Sequence, residues 1–132
     1  MSEPQLPLGE TERHPLPQAT ICVWALAADT TEEAQRLLMT REHWRIGFER
    51  GLRLPLVSPG EAAAAVYDEA DRARIAALRR RAMVGTGDEV GSRLRQLGTQ
   101  LGLDEIVINT WTYDPAARRH SYTLLAQAFQ MS

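Results

Sequence analysis

The stretch from Asp104 to His120 most constrains what this chain can become, because it carries a strand, a stop and a helix start in succession. Ile106, Val107, Ile108, Thr110 and Trp111 are β-branched or aromatic, the side chains that suit a pleated, extended backbone. Ile106 to Ile108 are apolar at consecutive positions, with no polar residue between them. That pattern marks a strand buried on both faces, as in a parallel sheet sheathed by helices. Asp114-Pro115 then closes the strand and opens a helix. Aspartate accepts from the free helical N–H groups, and proline loses nothing at the first helical position, where no N–H bond is needed. Such a strand requires parallel neighbours.

One neighbour is evident. Ala19 to Ala28 is apolar throughout its centre, Ile21 to Leu26, and reads as a second strand. Cys22 within it is expected to be a small core residue, and a lone cysteine permits no disulfide framework. Trp24 has two readings, a pocket wall or a core residue.

A helix is expected from about Thr31 to Arg50, with Thr30 and Glu33 at capping-box spacing and Gly51 beyond its end. Its apolar stripe is Ala34, Leu37, Leu38, Trp44 and Phe48, and His43 falls on the more polar, exposed side. A proline-containing loop over 51–60 precedes short helices at Glu61 to Tyr67 and Asp71 to Arg81. Arg79, Arg80 and Arg81 read either as a phosphate clamp or as cations at the negative end of a helix. Met83 and Val84 form a short extended piece, and Thr86 with Glu89 makes a second capping box. Val90, Leu94, Leu97 and Leu101 follow at helical spacing up to Gly102. Gly85-Thr86-Gly87 is either a phosphate-receiving helix start or a plain capping turn. The last helix, Pro115 to Phe129, carries Tyr122, Leu125 and Phe129 on one face, with His120 at the surface.

Composition excludes more than it selects. The 132 residues are 44% hydrophobic and 24% charged, with a formal charge of −2, so one soluble domain is expected, with no attraction to nucleic acid or an anionic membrane. All the basic residues other than histidine are arginine, spread among the acids. No stretch reaches the roughly 18 apolar residues that span a bilayer, and no signal peptide is indicated, so a cytoplasmic location is expected. Residues 1–18, rich in proline, read as a disordered or extended lead-in to a domain over 19–132. Two strands that are apolar on both faces do not satisfy one another, so the sheet is expected to be completed by polypeptide outside this chain.

The order of these pieces resembles the C-terminal portion of the luciferase-like flavin monooxygenases, over about residues 15–130. The resemblance lies in Trp24-Ala25-Leu26-Ala27-Ala28-Asp29-Thr30 with Glu32, Glu33 and Ala34, and in Val84-Gly85-Thr86-Gly87 with Val90, Leu94 and Leu97. It continues in Asp104-Glu105-Ile106-Val107, Asp114-Pro115-Ala116-Ala117-Arg118, Ser121-Tyr122 and Leu124-Leu125-Ala126. Gly87 stands where proline is common, and Tyr113 where histidine is expected. The resemblance implies an α/β fold, the C-terminal part of a TIM (β/α)8 barrel, comprising about the last two βα units with a helical insertion between them. It implies a flavin cofactor, FMN or a deazaflavin, and oxidation of a small organic substrate with molecular oxygen. Barrel sites lie at the C-terminal ends of strands. Trp111, Thr112 and Tyr113 would therefore sit at the cofactor rim, unless Trp111 simply packs under the last helix. A Met1 start before a proline-rich lead-in is read as a truncated or split reading frame, or a start placed late.

No catalytic residue is singled out and no metal site is expected, since no histidine, cysteine or acid cluster has liganding spacing. The alternative to an incomplete oxidoreductase segment is a non-catalytic α/β module that pairs with a partner chain, or with itself, to complete its sheet.

Overall fold

The computed structural model describes residues 19–130, and the expected lead-in over 1–18 lies outside the described residues. The elements in order are β1 (Thr20–Ala28), α1 (Thr31–Glu49), α2 (Pro59–Ala63), α3 (Glu69–Arg81), β2 (Met83–Thr86), α4 (Gly87–Leu101), β3 (Glu105–Asn109) and α5 (Pro115–Ala128). The most apolar strand, β1, is the central one. It pairs in parallel with both others, giving the order β2-β1-β3. Its first half, Thr20 to Trp24, lies against Glu105 to Asn109 of β3, and its second half, Ala25 to Ala28, against Met83 to Thr86 of β2. The short extended piece at Met83 is thus a third strand, one more than the two expected from periodicity.

Alternation along β1 builds two cores. Val23, Ala25 and Ala27 pack with Val90, Leu94 and Leu125 of α4 and α5. Trp24, Leu26 and Ala28 pack with Ala34, Leu37 and Leu38 of α1. Helices therefore cover both faces of an α/β fold with a three-stranded parallel sheet and five helices. The expected barrel sector is not what forms. Consecutive barrel units place strands side by side in sequence order, with every helix on the outer face. Here the connection from β1 to β2 runs through α1, and the connection from β2 back past β1 to β3 runs through α4 on the other face. A reversal of direction with right-handed crossovers demands that switch of face, and the result is doubly wound.

Local chemistry sets the helix ends. Thr86 and Glu89 close a full capping box, as do Ser58 with Glu61 and Asp68 with Asp71. Ser58 starts α2 earlier than expected, and the helix ends at Ala63 rather than Tyr67. At α1, Thr30 accepts from the Glu33 N–H, but the Glu33 carboxylate turns instead to Arg36, at 2.8 Å. Gly87 has a steric reason to lack a side chain. A Cβ there would lie 2.9 Å from the Leu124 carbonyl oxygen, so α4 starts directly against α5.

Three burial expectations are corrected. β3 is an edge strand, and its exposure alternates: Ile106 and Ile108 are half-buried toward α4 and α5, while Val107 is 46% exposed on the other face. Cys22, its register partner, is exposed rather than core. The cause is coverage, because the α1 residues that pack on the sheet meet only the C-terminal half of β1 on that face. His43, expected at the surface, is half-buried. No helix among the described residues is long and apolar enough to cross a membrane.

An ion-pair seam joins α1 to α3. The Glu49 carboxylate accepts from Arg74 at 2.9 Å and from Arg45 at 2.8 Å, and these bonds, with Arg74's the larger, lower its pKa from 4.5 to about 2. A depressed carboxylate pKa adds stability that is present above the unfolded value and disappears as pH falls through the folded one. The melting temperature is therefore expected to fall between pH 5 and pH 2, less steeply for Glu49→Gln. High salt should shrink the difference, since these groups face water. Identical pH profiles for the two proteins would remove Glu49 from the account.

Candidate functional site

In doubly wound sheets ligands settle outside the C-terminal strand ends, where the strand order reverses. That point lies between β1 and β3, whose pairing stops at Trp24 and Asn109. Beyond it the strands part, and side chains satisfy the freed backbone. The Thr110 hydroxyl donates to the Ala25 carbonyl at 2.6 Å, and the Ala27 N–H donates to Ser121 Oγ at 2.9 Å. The Thr110 N–H donates to the Tyr122 hydroxyl at 3.1 Å, and Arg118 Nε donates to the Thr110 carbonyl at 2.7 Å. Thr110 and Ser121 are fully buried. The crevice is thus closed by α5 itself.

The open chemistry lies to one side, on the α1 face. Trp111 leaves β3 to meet Trp24 edge-on, with ring centroids 5.7 Å apart, and Trp44 of α1 at 5.5 Å. Trp44 in turn stacks on Phe48 at 5.0 Å. The Arg41 guanidinium lies 4.3 Å over the Trp24 ring and 5.8 Å from that of Trp111. Of the rim residues, only Trp111 joins this cluster, where it meets Trp24 of β1 and Trp44 of α1. Thr112 is buried, with its hydroxyl donating to the Asp114 carbonyl. Tyr113 is 51% exposed. Asp114 caps α5, accepting from the Ala116 N–H at 2.9 Å.

Arg41 was not legible as a site residue, although it lies three and seven positions before Trp44 and Phe48, on one helical face. Among the described residues nothing accepts a hydrogen bond from its Nε, and Trp24 Nε1 is likewise buried without a partner. Burial lowers the Arg41 pKa, and the like charge of Arg45 adds to the shift. The adjacent carboxylate of Glu42 accepts no hydrogen bond from Arg41 and acts on it only through its charge, while both its oxygens accept from Arg79, at 2.6 and 2.9 Å.

The fit to FMN is incomplete. A flavin ring suits indole walls, but its phosphate needs free N–H donors or cations. The helix starts at the C-terminal edge of the sheet are capped by Thr30, Thr86 and Asp114, and acids fill the first turns of α1 and α4. Gly85-Thr86-Gly87 is therefore a capping turn, and Arg79 an ion-pair partner, neither of them a phosphate clamp. No group of three histidine, cysteine or acidic residues among those described could hold a metal ion. His120 Nε2 lies 2.7 Å from Asp29 Oδ1 at the exposed edge.

A groove of about 790 Å³ runs beside β3, with Leu94, Gly98, Ile106, Ile108 and Phe129 in its wall.

Fold and site together define an α/β unit with an open sheet edge and an aromatic cluster around an arginine. No family model matches the chain. It is 34% identical over 123 residues to the uncharacterized protein YwcH of Bacillus subtilis (strain 168), covering 92% of this chain and 35% of that protein. It is 29% identical to the uncharacterized protein YceB of the same organism, over 86% of this chain and 34% of that one. Among solved structures it superposes on the crystal structure of apo-MsnO8 with a TM-score of 0.74 at 26% identity, covering 89% of this chain and 36% of that one. The chain thus spans about a third of the length of the curated relatives it matches. The resemblance to luciferase-like flavin monooxygenases is corrected accordingly. The architecture that aligns with apo-MsnO8 is the three-stranded, doubly covered parallel sheet, and not two sequential units of a barrel.

Proposed function

We propose that this chain is one part of a larger parallel α/β assembly and completes its sheet along the edge of β3. The observation that carries this reading is β3 itself. It is an edge strand with a half-exposed Val107 on one face and an apolar groove beside Ile106 and Ile108 on the other. Unpaired strand edges with apolar side chains readily accept another strand. The partial span of the relatives supports the same reading.

Light scattering on the isolated chain tests it. Association is expected, and Val107→Lys should release a monomer with unchanged far-UV circular dichroism, because an edge lysine discourages strand addition. A folded monomer that melts sharply and is indifferent to the substitution would sink the proposal.

A second reading, favoured by the indole cluster, makes that assembly a flavin-dependent oxidoreductase acting on a small organic substrate with molecular oxygen. Trp111 would line the flavin ring, and polypeptide outside the described residues would hold the phosphate. FMN titrated into the same preparation separates the two questions. The isolated chain is expected not to bind it stoichiometrically, since the described helix starts at the C-terminal edge of the sheet are already capped by Thr30, Thr86 and Asp114.

A further inference from the structure

We infer that Arg41, backed by Trp24 and Trp111, binds the carboxylate of a small organic acid whose apolar body lies against the indoles. Arg41 is half-buried, yet no described residue accepts from its Nε. A cation partly withdrawn from water demands an anion. The surrounding carboxylates are hydrogen-bonded to other arginines. Glu42 is held by Arg79 on two bonds, and Glu49 by Arg45 and Arg74. The planar guanidinium fork matches the two oxygens of a carboxylate. A phosphate is disfavoured, because Arg45, the cation whose like charge acts on Arg41, is committed to Glu49.

The walls argue for an apolar ligand body. Trp111 meets Trp24 and Trp44 edge to face, and the arginine lies over Trp24 and beside Trp111. On the same face of the sheet, Cys22, Val107 and Asn109 are exposed, so the floor beside the cluster is open. The inference rests on this cluster alone and is independent of how the sheet is completed or whether flavin binds.

The test is built into the chain, whose three tryptophans are Trp24, Trp44 and Trp111, all within the cluster. Intrinsic fluorescence is followed while the full chain is titrated with benzoate and, separately, with inorganic phosphate. Benzoate should give a saturable change, and phosphate a much weaker one. Arg41→Met should weaken benzoate by about tenfold or more, with Arg41→Lys between the two, because lysine keeps the charge and loses the fork. Both variants should keep the far-UV spectrum and a cooperative melt; if Arg41→Met unfolds, Arg41→Lys decides. Lack of saturation, equal binding by the folded variant, or phosphate as tight as benzoate would each overturn the assignment. Sedimentation with and without benzoate addresses the other source of a carboxylate, a side chain on a second copy. Dispersal of an associated species by benzoate, abolished in Arg41→Met, would refute the small-acid assignment.

Discussion

Leu94→Ala is expected to destabilise the fold by about 3 kcal/mol or more, a large share of the roughly 5–15 kcal/mol a small domain possesses. Leu94 has no exposed surface and packs with Ala25, Ala27, Val90 and Leu125 between α4 and the sheet. Two of those neighbours are alanines on the central strand, too short to move into the space, so most of the cavity should persist. The cost of such truncations rises with the volume left empty. Urea unfolding followed by fluorescence should show a lower midpoint with an unchanged slope. Leu101→Ala is the control. Leu101 continues the same stripe but is 54% exposed, so its loss should cost within about 0.5 kcal/mol. Equal effects at the two positions would mean that α4 does not dock on β1 by this face.

Arg79→Ala is the second large effect, at about 2 kcal/mol. Glu42 is 5% exposed and both its oxygens are held by Arg79, so removing the arginine strands a buried carboxylate. Breaking a fully buried pair costs about 3–5 kcal/mol, and the figure is lowered here because Arg79 is 46% exposed and water can approach in its place. Glu42→Met in the Arg79→Ala background should recover most of the loss, since the penalty lies in the uncompensated charge and not in the missing contact. A double variant no more stable than Arg79→Ala would disprove that cause. The pair also bears on the site, because it withholds from Arg41 the carboxylate next to it in sequence.

The reach of the sequence varies along the chain. Thr86 with Glu89, Gly102 after α4 and Asp114-Pro115 before α5 stand in the structure where their local chemistry places them. Each depends on contacts within a few residues, which spacing alone displays. Burial was less legible. Ile106 to Ile108 and Ile21 to Leu26 have the same apolar texture, yet one is an edge strand and the other the centre of the sheet. Pairing decides that difference, and pairing is not written in texture. Met83 and Val84 were too few to count as a strand, and they gained that status only from the open edge of β1.

The site followed the same division. Trp24 and Trp111 each have two readings in the sequence, Trp44 belongs to the apolar stripe of α1, and Arg41 carries no signal of its own. Nothing in the spacing of 24, 41 and 111 announces a cluster, since they come from β1, α1 and the segment after β3. Likewise Ser121 and Tyr122 gave no sign that their hydroxyls would close the crevice between parted strands. The linear chain therefore established the longer helices, the caps at Thr86 and Asp114 and the α/β class, because those are short-range matters of propensity, capping and period. Tertiary structure alone decided the order β2-β1-β3, the bare face beside Cys22 and Val107, and the arginine set among indoles. Each of those depends on which distant segments pack together, and on which charges are already neutralised once they have.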